Sequence, residues 1–438
     1  MKRAPAEDIV RFLSFSSESS AAATAIEAFT TREWNRVLQW MEDAGLAFFF
    51  LRKLMDSRAT RLVPAPVLSR LQRNFALNQT RVGDISRHFW SINQRFDNAG
   101  VRYAVVKGFS LVPEFCPAAT LRHQADIDYL IDPQSLSAAR RVLLDSGYEA
   151  QDSVSDKESI FVTPGAEPSR NDSQYSSQAG HAVELHTDVW DNEMHGLQRI
   201  PHFFSLDQAR TRHWDGLTFL SLSDEDTFLL QVLHACHHLF TQWIRMSCLF
   251  EIGYFLNRRA LDVDLWGAVA CRVQDNLIVR EFAVIVAELV AQLFAAPVPP
   301  EIQDWAGSIR PATRVWIENY ARKWAFCELP VHELSWFPRS KLVLFLQQQY
   351  RAEPVGSLPD PRDSAKEPPL SNVAQPARRT LRLLITNWRK RKRFLRRGIY
   401  YTLAQARYLC EIPRWIWLNR AIPSASVGSY LPISKKPL

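Results

Sequence analysis

The run Asp126-Ile127-Asp128-Tyr129-Leu130-Ile131 constrains this chain more than any other segment. From Ile127 to Ile131 it is apolar, β-branched and aromatic, which reads as the start of a buried strand. Side chains two apart on a strand face the same way, roughly 6–7 Å apart along the chain. Two carboxylates on one face of an apolar strand repel each other and lose hydration. That is costly unless a cation sits between them, and hard oxygen ligands suit Mg²⁺, which also binds substrate phosphates. Lys107-Gly108-Phe109-Ser110 lies upstream, where a strand turns into a helix, and Glu184 supplies a third acid in a later strand-like run. Together they predict a site for metal-dependent phosphoryl or nucleotidyl transfer.

The surrounding pattern supports a strand–helix frame. Val101 to Val106 is short, β-branched and aromatic, so a strand is expected before Lys107. A short helix is expected over Phe109 to Phe115, stopped near Pro117. Asp132-Pro133 reads as an N-cap and first helical residue, Leu136 to Asp145 is amphipathic, and Gly147 closes it. Ser159 to Thr163 and Ala182 to Val189 read as further strands, with His186 and Asp188 sharing the face of Glu184 if the second is regular. The polar segment Pro164 to Gly180 between them reads as a loop. Before this frame, Trp34 to Met41, Ala44 to Leu54 and Val67 to Asn98 carry apolar residues at helical spacing, with Gly100 as a stop. After Phe219 the chain turns helical again, opened by a capping box at Ser223-Asp224-Glu225-Asp226.

With 438 residues the chain is too long for a typical single core. The expected division is a helical region over 1–100, a sheet-bearing core over 101–222, a helical domain over 223–350, a proline-rich linker over 351–377 and a basic, aromatic segment over 378–438. The fold class is α+β, a small mixed β-sheet flanked by N-terminal and C-terminal helices. Six scattered cysteines without a Cys-x-x-Cys pair do not form a disulfide framework and fit a reducing cytoplasm. The N-terminus lacks the apolar core of a signal peptide. The most hydrophobic stretch, Phe282 to Val298, carries Glu288 and Gln292 and reads as a buried helix, so no transmembrane segment is expected. Net charge is +7, concentrated in Arg378 to Arg397, which holds no acid and favours an anionic partner.

At the candidate site, a strand–turn–helix with Gly108 at the turn brings backbone N–H groups close to an anion. Ser110 is placed to donate to a phosphate, and Lys107 or Arg122 to neutralise its charge. Nucleotidyl transfer of this kind uses two metal ions, one at the attacking oxygen and one on the triphosphate. Asp126 and Asp128 on one strand and Glu184 on a neighbour are the expected ligands, with His186 either a phosphate contact or a packed histidine hydrogen-bonded to backbone. His234 and His238, four apart on a predicted helix, share a face. Without a Glu in a His-Glu-x-x-His pattern or a clear third ligand, packing is favoured over a zinc site.

At these residues the chain resembles a family of uncharacterised bacterial nucleotidyltransferases within the DNA polymerase beta-like superfamily. The resemblance runs through Val105-Val106-Lys107-Gly108, Leu111, Arg122, Asp126 to Ile131, Gly147-Tyr148 and Val183-Glu184-Leu185-His186. It continues through Leu233 to His238, Trp243, Arg245 and Glu251. It implies a nucleotidyltransferase core that moves a nucleoside monophosphate from an NTP, ATP as the expected donor, with Mg²⁺, or Mn²⁺ in its place. Asp126, Asp128 and Glu184 match the metal ligands, and Gly108 and Ser110 the surroundings of the triphosphate. One departure stands out: Gly108 is followed by Phe109 where the superfamily usually has Gly-Ser or Gly-Gly, and the gap to Asp126 is longer.

The resemblance names no acceptor, so a small molecule, a protein and an RNA end all stand. Two other readings compete with the enzyme. One is a nucleic-acid-binding or RNA-modifying protein that uses Arg378 to Arg397, which predicts steep salt dependence. The other is a catalytically silent scaffold of the same fold. A smaller alternative places Trp415-Ile416-Trp417-Leu418 at a membrane surface.

Overall fold

The computed structural model describes residues 4–16, 19–151, 158–163, 175, 180–188, 200, 203–240, 245–326, 341–351, 398–399 and 402–420. The segments 164–174, 352–377 and 378–397, and Trp243, lie outside them, so the expected loop, the linker and the basic run are not described.

Five helices come first: α1 (Pro5–Leu13), α2 (Ser19–Glu27), α3 (Thr31–Asp43), α4 (Ala47–Asp56) and α5 (Ala65–Asn98). Helix α3 begins in a capping box, with the Thr30 side chain accepting from the Glu33 N–H and Glu33 answering the Thr30 N–H. Helix α5 has a proline in its first turn and is followed by Gly100 at φ 66, the left-handed conformation that stops a helix cheaply. Its 34 residues serve two cores. Val67 and Leu71 join one, and Val82, Ile85, Phe89, Ile92 and Phe96 the other.

The sheet holds β1 (Tyr103–Val106), β2 (Asp126–Ile131), β3 (Glu149–Ala150), β4 (Glu158–Val162), β5 (Ala182–His186), β6 (Arg210–Trp214) and β7 (Leu217–Ser221). Their order is β3-β4-β5-β2-β1-β7-β6. It is mixed: β2 runs antiparallel to β1 and parallel to β5, while β1 and β7 are parallel. With the helices around it, this is an α+β fold.

Period-two alternation sorts the central strands between two cores. Ile127, Tyr129, Ile131, Val183 and Leu185 point into the core shared with the second half of α5 and with α6 (Leu136–Asp145). Ala104, Val106 and Leu130 point the other way, into a larger core. That core also takes α1, α3, α4, α7 (Asp224–Phe240), α8 (Met246–Arg259), α9 (Val263–Arg272) and α10 (Leu277–Phe294). The first helices and those after the sheet therefore pack as one layer against the acid-bearing face. No helix among the described residues is long and apolar enough to cross a membrane.

Three local features differ from the sequence reading. In place of a helix over Phe109 to Phe115 there is a 3₁₀ turn over Gly108–Leu111. Pro113 offers no N–H and forces Val112 into an extended conformation, so the turn cannot propagate. Strand β5 ends at His186, short of Val189. Strands β6 and β7 go beyond the expected set. They form a hairpin closed by Asp215-Gly216 at φ 47 and 75, the pair of positive φ values that a two-residue hairpin turn demands.

Candidate active site

Register places the acids. In the parallel pairing of β2 with β5, Asp126 lies beside Ala182 and Asp128 beside Glu184. Antiparallel pairing sets Val106, next to Lys107, opposite Asp128, and Glu158 of β4 opposite His186. The result is a cavity of about 390 Å³, floored by Lys107, Asp126, Asp128, Glu158, Glu184 and His186. Its far wall comes from α7 and α8, with His234, His237, His238, Cys248 and Glu251.

Asp128 is 2% exposed, so its charge needs partners inside the protein. Lys107 Nζ donates to Asp128 Oδ1 at 2.7 Å, and His186 Nε2 lies 3.2 Å from the same oxygen and 3.4 Å from Glu184 Oε2. Burial alone would raise the Asp128 carboxyl, but Lys107 and His186 outweigh it and hold it well below the usual carboxylate range. His186 feels the reverse: burial works against its charge, yet the two carboxylates lift it to about 9. Asp126 is pushed up to about 7 by burial and by Asp128 and Glu184. Lys107 and His186 therefore do not fully neutralise the acids of this face.

That imbalance is what a divalent cation corrects. One ligand atom each from Asp128, Glu184 and His186 lie within 4.8 Å of one another. Two carboxylates and an imidazole form a donor set that could hold a divalent cation. Asp126 lines the cavity beside this triad without belonging to it.

The edge of the cavity beside Lys107 is built by the turn after β1 and by residues 122–125. Lys107 adopts φ 56 and ψ −158, at the edge of a region that is essentially restricted to glycine. Gly108 follows at φ 45, and a Cβ there would lie 2.7 Å from Gln124 Nε2. Arg122 donates through Nη1 to Gly108 O at 3.2 Å and through Nε to Glu251 Oε1 at 2.7 Å. It thus ties the turn to α8. Helix α5 holds this loop from behind: Asn78 donates to Thr120 O and Arg122 O, and the buried Arg81 donates to Gln124 O and Gly180 O.

Of the residues singled out in the sequence, Lys107, Gly108, Arg122, Asp126, Asp128, Glu184 and His186 all line the cavity. Ser110 does not. It is 1% exposed, and its hydroxyl donates to Lys107 O at 2.7 Å, which steadies the turn. Sequence reasoning missed Glu158, Gln124 and Arg81. Glu158 carried a weak signal, as it starts an alternating run whose other face is buried. Gln124 and Arg81 carried none, because their roles rest on contacts far apart in the chain.

His234 and His238 share a face of α7, their rings 4.4 Å apart, and both line the cavity. Burial, helped by neighbouring histidines, holds His234 well below its ordinary value and His238 down to about 3. His234 and His238 therefore present uncharged imidazoles to the cavity.

A family profile described as an uncharacterised nucleotidyltransferase matches residues 30–295. The chain is also similar to a crystal structure of an antigenic nucleotidyltransferase-like protein from Paracoccidioides brasiliensis, at 15% identity over 51% of this chain and 94% of that one. The TM-score is 0.28, and at that value the likeness carries no argument. No curated protein matches.

Proposed function

The chain belongs to the family of uncharacterised nucleotidyltransferases, and on that premise we propose that it moves a nucleoside monophosphate from an NTP to a hydroxyl acceptor, with Mg²⁺ or Mn²⁺. ATP is the donor we assign, and the acceptor is a small molecule, a protein or an RNA end. The observation that carries the reading is the grouping of Asp126, Asp128 and Glu184 on one sheet face at a cavity, with Lys107 and the Gly108 turn lining it.

Asp126, Asp128 and Glu184 would hold the cation, with His186 as a further ligand or as the group that orients Asp128 and Glu184. When bound, a divalent ion supplies charge neutralisation and alignment for an in-line displacement. The acceptor oxygen bonds to the α-phosphorus as the bond to the bridging oxygen breaks and pyrophosphate leaves. Glu184 takes the acceptor proton. Lys107 and the backbone at Gly108 receive the triphosphate, and Arg122, anchored on Glu251, keeps that turn in place.

The test is transfer of α-labelled NTP with Mg²⁺ to the protein itself, bulk RNA or a cell extract, with an Asp126→Asn/Asp128→Asn variant alongside. Label from the parent alone supports the reading. Equal label from both removes the assigned site. Neither label nor metal-dependent NTP binding favours a silent scaffold instead. Retention of RNA with steep salt dependence and no transfer favours the nucleic-acid reading of Arg378 to Arg397.

A further inference from the structure

A helix over residues 402–420 packs against Tyr320 and Phe345. Its inward face is settled by contacts. Trp415 stacks on Phe345 with ring centroids 4.9 Å apart and meets Tyr320 edge-on. Tyr408 also packs on Phe345, and Ile412 and Leu418 join the core. Glu411 turns inward toward Lys323 at 3.5 Å.

The outward face is apolar as well. Leu403 is 59% exposed, Leu409 54%, Ile416 43% and Trp417 67%, and Ile399 just ahead of the helix is 51% exposed. These are five of the thirteen large apolar side chains exposed among the described residues, so the exposure is concentrated here. Leu403, Cys410 and Trp417 recur every seven residues; Leu409 and Ile416 lie roughly 100° further round the helix, with the exposed Ala406 and Pro413 between the two lines. Charge on this outward face comes from the exposed Arg407 and Arg420, and at its edge from Arg414, which also donates to Asn319 Oδ1 at 3.3 Å and lies 4.0 Å from Glu411. No acid shares it among the described residues, since Glu411 faces the core.

We infer that this face docks the protein on an anionic lipid surface. Aliphatic side chains and an exposed tryptophan, flanked by arginines, match the boundary between acyl chains and acidic headgroups. A second copy of the helix fits less well, because pairing would bring arginines against arginines with no acid between them. Nucleic acid would satisfy the arginines but gains little from Leu403, Leu409 and Ile416, which cannot stack on bases. The chain immediately before the helix, Arg378 to Arg397, carries ten basic residues and no acid, so its composition adds charge of the same sign.

The experiment uses the full chain with sedimenting vesicles of phosphatidylcholine, alone or with phosphatidylglycerol. Leu403→Gln/Trp417→Gln is compared with Leu261→Gln, a control at a distant side chain that is 90% exposed. Binding is expected to anionic vesicles, to weaken with salt, and to fall roughly tenfold or more in the double variant alone. A thermal melt matching the parent confirms that the double variant is folded. Absence of vesicle binding overturns the inference, as does equal binding by the double variant. So does equal loss in the control. Concentration-dependent dimerisation or RNA retention lost in the double variant, without vesicle binding, also overturns it and names the other occupant.

Discussion

Lys107 Nζ sits 2.7 Å from Asp128 Oδ1, on the same oxygen that faces His186 and within the group of atoms suited to a cation. The lysine holds a backbone conformation costing on the order of 1–3 kcal/mol for a residue with a side chain. The strained backbone delivers an ammonium to a buried carboxylate that also belongs to the Asp128, Glu184 and His186 group.

Replacing Lys107 should therefore expose a metal requirement for stability. Lys107→Ala leaves Asp128 buried without its cation, a loss of about 3 kcal/mol, and keeps the backbone strain because alanine retains the Cβ. Thermal melts should show a lower Tm than the parent without metal, and a larger rise on adding Mn²⁺. Identical shifts in both proteins would mean that Lys107 and the ion do not share Asp128.

Asp128→Asn should cut transfer by about a thousandfold or more, the scale of several kcal/mol of lost charge stabilisation. Glu184→Gln should follow it. Ser110→Ala should change transfer far less, since its hydroxyl is spent on Lys107 O. Initial rates with labelled NTP compare the three.

Gly108→Ala should both destabilise the fold and impair NTP binding. The residue sits at φ 45, and its new Cβ would press on the side-chain amide of Gln124 at 2.7 Å. Equilibrium binding of NTP and a denaturant midpoint give the two readouts. An unchanged midpoint would show that Gln124 can swing away.

Arg122 and Glu251 join the turn to α8 through a pair with little exposure, 19% and 3% at the side chains. Glu251→Ala should cost about 3 kcal/mol because it orphans the guanidinium, whereas Arg122→Met/Glu251→Leu should cost less. The double variant should fold and yet show a higher KM for NTP, as the turn loses its anchor. Denaturation and steady-state kinetics together separate these effects.

His181 predicts an acid-sensitive step. Its Nε2 lies 2.8 Å from the Tyr148 hydroxyl, and burial, with His88 and Arg81 nearby, lowers it from 6.5 to about 4. In that window the unfolded chain binds a proton that the folded protein refuses, so stability rises with pH from about 4 to 6.5 and is lost as pH falls. His181→Gln should flatten the slope by up to one proton. His234 and His238 act in the same direction, and Asp126, raised to about 7, in the opposite one, so a residual slope remains. Urea midpoints at several pH values measure it.

What the sequence by itself determined here was local. The alternation of Asp126 and Asp128 with Ile127 and Tyr129, the Gly100 stop, and the cap at Asp132 were all legible, because strand period, helix period and capping act over a few residues. The same logic should have found the β6–β7 hairpin from Asp215-Gly216, a signal present but overlooked. Only the tertiary structure decided that Glu184 lies beside Asp128, that Lys107 rather than solvent meets that acid, and that Glu158 and the α7 histidines complete the cavity. It also decided that Ser110 turns inward and that Trp415 is packed while Trp417 is exposed. Those outcomes rest on strand register and on packing between segments far apart in the chain. Their energies depend on which surfaces meet, and no local periodicity encodes that.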